Sequence, residues 1–199
     1  MSKDKNNFLF NLIAPIYGLF YNYQKGKFFE TIEIAKEVID LFSYKTILDI
    51  GSGTGALCSV LNDKGFEVTG IDPAIKMLNI ARHKPENNGI KFLQEDVLKG
   101  LSFNDKSFEI VISSFVAHGL KEDERRQMYL EMKRVAKNYV IIHDYNKNRA
   151  LLTNIVEWLE GGDYFNFIKN VEFELRDCFS EVQIIQVDER ASWYICKSN

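Results

Sequence analysis

A chain of 199 residues, 46% hydrophobic and 27% charged, has enough apolar material for one sizeable core, so it suits a single domain or a domain with a small cap. Its net charge of −3 excludes a general nucleic-acid binder, which needs a basic face for phosphates. Cys58, Cys178 and Cys196 are scattered and odd in number, the opening "MSKDKNNF" lacks the apolar core of a signal peptide, and no apolar run approaches the ~20 residues of a membrane span. A cytoplasmic protein with no metal and no stable membrane insertion is therefore expected.

Taken in chain order, residues 8–23 form an aromatic-rich helical stretch carrying Phe8, Phe10, Tyr17, Phe20, Tyr21 and Tyr23. A second helix is expected over 28–43, where Phe28, Ile32, Ala35, Ile39 and Phe42 recur at helical spacing. The β-rich run 46–50 (TILDI) follows, then a helix over 55–65, a strand over 67–72 (EVTGID), and a helix over 73–83 with Pro73 in its first turn. Further strands are expected at 90–95, 108–114 and 139–144. The helix between the last two, 121–137, places Met128, Met132 and Val135 on one face. Gly161 and Gly162 break two late helical stretches, and 182–188 pairs with 192–197 as a hairpin. Alternating strands and helices predict a parallel sheet covered on both faces, and the closing hairpin makes it mixed.

The chemistry starts at 47–57, "ILDIGSGTGAL". Gly51, Gly53 and Ala56, with Asp72 placed 21 positions after Gly51, satisfy the spacing of a dinucleotide fingerprint. The same loop reads as G-x-G-x-G through Gly55. Charge separates the two ligand classes. A dinucleotide would bring a pyrophosphate to this turn, next to Asp49. S-adenosylmethionine (SAM) brings an ammonium and a sulfonium instead, both of which a carboxylate favours. Asp72, at the end of the second strand, suits the ribose hydroxyls of either ligand, and Asp96, after the third, suits an adenine amino group. Three carboxylates at three successive strand ends agree with ligand binding beyond the carboxyl ends of an open α/β sheet.

"ILDIGSGTGAL", "VTGIDPAIKML", "FLQEDV" and "FEIVISSFVAHGL" together resemble the successive motifs of class I SAM-dependent methyltransferases, with the ubiquinone/menaquinone-biosynthesis C-methyltransferases as the nearest group. The resemblance covers roughly residues 45–145. It implies a Rossmann-like α/β fold with a seven-stranded mixed sheet, the last strand antiparallel. It also implies a helical lid over 1–44 preceding a SAM-binding domain over 45–199. Asp49, Gly51, Gly53, Gly55, Asp72, Met77, Asp96, Val97 and Tyr17 are the expected cofactor residues, with S-adenosylhomocysteine as the product. "FNLIAPIYG" at 10–18 is similar to the quinone group's F-D-x-x-A-x-x-Y-D, but Asn11 and Gly18 stand where that group has aspartates.

Methyl transfer from a sulfonium needs alignment and exclusion of water, with a base when the acceptor must lose a proton. His118, just past the fourth strand, is the candidate base; a packing role is the competing reading. Asp144, at the tip of the fifth strand, is the second candidate, and alternation turns His143 to the other face in a structural role. Met77, Leu78 and the tyrosines at 17, 21 and 23 read either as cofactor contacts or as packing. The Pro-Pro-aromatic motif of amino-group nucleic-acid methylases is absent after the fourth strand, no cysteine lies there for cytosine-C5 chemistry, and Asp144 with Asn146 makes an incomplete metal site. The expected partner is a small-molecule methyl acceptor, and the expected state a monomer or homodimer. A non-catalytic SAM-binding protein and an NAD(P)-dependent oxidoreductase are the alternatives.

Overall fold

β-branched and aromatic runs form seven strands: β1 (Thr46–Ile50), β2 (Glu67–Ile71), β3 (Lys91–Leu93), β4 (Phe108–Ser114), β5 (Ala136–Tyr145), β6 (Val182–Gln186) and β7 (Ala191–Lys197). They make one sheet in the order β3-β2-β1-β4-β5-β7-β6. β1, β2 and β3 pair in parallel, as do β4 and β5, whereas β7 runs antiparallel to β5 and β6. The short connection from β6 to β7 permits no crossover, so this pair must be antiparallel. The fold is the class I methyltransferase fold that the sequence predicts. The computed structural model describes residues 3–36, 38–147 and 163–198. Packing divides the chain into two units, one ending at Asp96 and the other beginning at Val97.

The first unit holds α1 (Lys3–Leu19), α2 (Tyr21–Ala35), α3 (Ala56–Asp63) and α4 (Ile75–His83) beside β1–β3. Asn11 docks α1 onto α4: its side-chain oxygen accepts from the Lys76 N–H at 2.9 Å, in the first turn of α4, whose N–H groups have no partner within the helix. Ala14 packs there against Ala74 and Met77. The Tyr21 hydroxyl, at the start of α2, donates to Asn87 at 3.2 Å, and Asn87 donates to the Ala81 carbonyl at 2.9 Å. Helical spacing alone places one helix over 8–23 and another over 28–43. The chain instead breaks at Phe20 and leaves α2 at Ala35, and only Leu41–Ser43 re-forms a 3-10 turn. The Ser43 hydroxyl bonds the Asp40 carboxylate, the kind of local contact that competes with helical backbone. Gly70 sits opposite Asp49 in the β1–β2 register. A Cβ there would stand 2.8 Å from the Phe92 ring and 2.9 Å from Cys58 Sγ, so only glycine lets α3 close onto β2.

The second unit holds α5 (Glu122–Val135) and α6 (Tyr164–Cys178) beside β4–β7. Met128, Met132 and Val135 are all fully buried, as their shared face predicts. β5 opens at Ala136, directly after α5, because Ala136 already pairs with Phe108 of β4. Arg125 is fully buried and joins α5 to α6 through two bonds to Glu174 (2.7 and 2.6 Å) and one to Asp163 (2.9 Å). That anchor fixes the start of α6, and with it Tyr164. Gly161, Gly162 and the helical stretch before them lie outside the described residues.

Candidate functional site

In the first unit, β1 runs into three glycines in the left-handed region, with φ of +73° at Gly51, +53° at Gly53 and +81° at Gly55. The loop is tied down on the side of β2. The Gly51 and Ser52 N–H groups both donate to the Ile71 carbonyl at 2.9 Å, and the Gly53 N–H donates to Asp72 Oδ2 at 3.0 Å. Asp72 Oδ1 accepts from the Ala74 N–H at 2.7 Å. Asp72 therefore shapes both the loop and the entry to α4, and each oxygen keeps a lone pair for a ligand.

Asp49 is almost completely buried. Its Oδ2 accepts from the Cys58 thiol at 3.2 Å, while Oδ1 has no hydrogen-bond partner among the described residues. Burial pushes its carboxyl up to about 7, against the Cys58 bond and with a smaller push from Asp72. Burial likewise lifts Asp72 to about 6, against its two backbone bonds. A buried carboxylate oxygen without a donor is costly, and a cation placed beside it removes that cost. The residues thus fit SAM, whose amino-acid end carries an ammonium, whereas a pyrophosphate would meet two carboxylates.

The same shift has a consequence for stability without cofactor. A carboxyl raised from 3.8 to about 7 contributes stability below its unfolded pKa and loses it as pH rises through about 7. Asp49→Asn removes that loss. The cofactor-free variant is expected to gain on the order of 1–3 kcal/mol over wild type between pH 5 and pH 8, read from urea unfolding at both pH values. A gain that is the same at both pH values would show that Asp49 does not ionise in this range.

Met77 and Tyr17 come together in the structure: Met77 is buried against Ala14 and Ala74, and Tyr17 packs on the same cluster beside Ile13 and Ile80. Asp96 lies partly exposed in the loop after β3, and the buried Val97 opens a short 3-10 turn.

The second unit brings His118 and Asp144 together. His118 lies in a 3-10 turn (Ala117–Gly119) after β4, and Asp144 lies near the end of β5, completely buried. Asp144 Oδ1 is 2.8 Å from His118 Nδ1 and also accepts from the Tyr145 N–H at 2.8 Å, while Oδ2 accepts from the His118 N–H at 3.3 Å. A carboxylate on Nδ1 assigns the ring hydrogen to that nitrogen and makes Nε2 the basic one. His143 contacts the Ser114 hydroxyl at 3.2 Å through its own Nδ1, and burial holds it down to about 4, against the pull of Asp144, so it is neutral.

Rings surround this pair. Tyr145 stands edge-on to His118 at 4.8 Å and to Tyr164 at 5.1 Å, and Phe115 is 5.2 Å from Tyr145. Phe115 has φ of +54° directly after β4, a conformation that costs a non-glycine residue about 1–3 kcal/mol, and the residue is 39% exposed. Sequence reasoning missed Phe115, Tyr164, Cys58 and Gly70. Nothing in the residue type of Phe115 signals a left-handed backbone, and Tyr164 arrives from a distant helix. Gly70 was legible as a glycine inside a strand, which marks a close approach. Among the described residues no group of three or more His, Cys, Asp or Glu side chains is placed to hold a metal ion.

A family model for the methyltransferase domain matches residues 47–139. A demethylmenaquinone methyltransferase of Thermus thermophilus is 37% identical over 114 residues, which is 54% of this chain and 50% of that protein. An uncharacterized methyltransferase of Staphylococcus carnosus is 28% identical over 134 residues, 64% of this chain and 61% of that one. The chain thus spans between half and two thirds of these two relatives. The crystal structure of a SAM-dependent methyltransferase from Aquifex aeolicus superimposes with a TM-score of 0.66 at 22% identity, covering 87% of this chain and 92% of that one, and so shares the fold. Residues 47–139, which carry the glycine turn with Asp49 and Asp72, are thus similar to the methyltransferase-domain family, and the chain shares the fold of a solved SAM-dependent methyltransferase.

Proposed function

We propose that this protein transfers a methyl group from SAM to a small-molecule acceptor. The observation that carries the reading is the buried, unpartnered Oδ1 of Asp49 beside a left-handed glycine turn, an arrangement that calls for a cation where a dinucleotide would bring a pyrophosphate. When bound, SAM supplies an activated methyl group on a sulfonium. Asp49 holds the ammonium, the backbone at Gly51, Gly53 and Gly55 admits the amino-acid end, and Asp72 takes the ribose hydroxyls on its remaining lone pairs. Asp96 accepts from the adenine amino group, with Val97 and Met77 beside the ring, and residues 1–44, including Tyr17, form a lid on the 45–199 domain. His118 Nε2 takes the acceptor's proton, and Asp144 orients the ring and balances the imidazolium charge. This buried pair favours an enzyme over a passive SAM binder.

Two departures weigh against a quinone-type acceptor: Asn11 and Gly18 stand where the quinone group has aspartates, and the Asn11 oxygen is taken up by the Lys76 N–H. No described helix is long and apolar enough to cross a membrane, and a monomer or homodimer suffices for this chemistry. Calorimetry is expected to give micromolar binding of SAM and S-adenosylhomocysteine, about −8 kcal/mol, and far weaker binding of NAD and NADP. Tight NAD binding without SAM binding would sink the reading, and SAM binding without methyl transfer from labelled cofactor to any small-molecule acceptor would leave the passive binder.

A further inference from the structure

Cys58 lies in the first turn of α3, outside every motif that marks the cofactor site. It is completely buried, and its surroundings leave it one polar task. Its thiol donates to Asp49 Oδ2 at 3.2 Å. Behind it, Gly70 of β2 leaves so little room that a Cβ would come within 2.9 Å of the sulfur. The sulfur is thus pressed between a strand without a side chain and the carboxylate it holds.

We propose that Cys58 is a positioning residue for the cofactor: it tethers one oxygen of Asp49 so that the other, Oδ1, is presented to the ammonium of SAM. The inference rests on the reading that Asp49 meets that ammonium. A carboxylate torsion is broad and roughly two-fold, so an untethered Asp49 would present its oxygens in a spread of orientations. A thiol is a weak donor, enough to set the torsion without replacing the cation as the main partner of the group. Burial, reinforced by the Asp49 charge, holds the thiol well above its usual range, so it stays an S–H donor. The titratable groups acting on Asp49 are Cys58 from α3 and Asp72 directly after β2, and Asp49 is the titratable group that acts on Cys58.

The test compares two ligands on wild type and Cys58→Ala by calorimetry between pH 5.5 and 7.5. SAM carries the amino-acid end. 5′-Methylthioadenosine keeps the nucleoside but lacks that end, so it reports on folding, on Asp72 and on the adenine contacts. In wild type, the preference for SAM over methylthioadenosine should grow with pH as Asp49 ionises, by up to about tenfold per unit below its midpoint. In Cys58→Ala, methylthioadenosine should bind within about twofold of wild type. SAM should bind roughly three- to tenfold more weakly at pH 7, the worth of one hydrogen bond, and the midpoint should move to higher pH. Equal losses for both ligands would overturn the proposal, because the cysteine would then only fill space. An unchanged SAM affinity and midpoint in Cys58→Ala, with the pH dependence present in wild type, would overturn it as well. A wild-type preference that does not vary with pH would remove the placement of Asp49 at the ammonium, and the proposal with it.

Discussion

Replacing His118 with alanine is expected to lower turnover by about 10²–10⁴-fold, the usual worth of a positioned general base, while SAM affinity stays within about twofold. The glycine turn, Asp49 and Asp72 belong to the first unit, where Ile71, Ala74 and Cys58 supply the contacts that shape them. Asp144→Asn is the sharper partner variant. Asp144 accepts hydrogen bonds from the His118 ring, the His118 N–H and the Tyr145 N–H. Alanine would strand two backbone donors and confuse folding with catalysis. Asparagine keeps one accepting oxygen for the His118 ring and the Tyr145 N–H, sets its NH₂ against the His118 N–H and loses the charge that balances an imidazolium, so turnover should fall with a smaller drop in melting temperature than alanine gives. With an acceptor in hand, single-turnover rates for the two variants decide the matter. Full activity in His118→Ala would dispose of the base and leave Phe115 and Tyr145 as the groups that receive the acceptor.

Asp72→Ala is expected to cost at least a hundredfold in SAM affinity. Two charge-assisted bonds to the ribose hydroxyls are lost, each worth about 1.5–3 kcal/mol, and the glycine turn loses its tie at Gly53. Asp72→Asn separates these contributions. Its oxygen can still accept from the Ala74 N–H, but its NH₂ would then face the Gly53 N–H, donor against donor. The asparagine variant should therefore keep α4 and still lose most of the affinity. Calorimetry with SAM, alongside urea unfolding without it, gives both numbers. Unchanged affinity in a folded Asp72→Ala protein would reduce this residue to a structural cap.

The sequence by itself determined which elements form and which carboxylates follow which strands. Periods of two and 3.6 are local properties, and so is the glycine spacing between Asp49 and α3, so the alternating pattern, the closing hairpin and the buried face of α5 were all readable. Strand alternation even separated Asp144 from His143 before any contact was known. What tertiary structure decided is how those groups are held. Periodicity carried a helix on through Ile39 and Phe42, but the chain leaves α2 at Ala35 and re-forms only a 3-10 turn at Leu41–Ser43. Cys58 reads as an ordinary buried residue until the fold sets it between Gly70 and Asp49. His118 and Asp144, 26 residues apart, become a pair only because β4 and β5 lie side by side in parallel. Phe115 adopts a left-handed backbone while its N–H donates to the His143 carbonyl on the neighbouring strand. The pairings of Cys58 with Asp49 and Gly70, of His118 with Asp144 and of Phe115 with His143 all join different elements of the fold, and the ionisation of Asp49 depends on burial that packing alone creates.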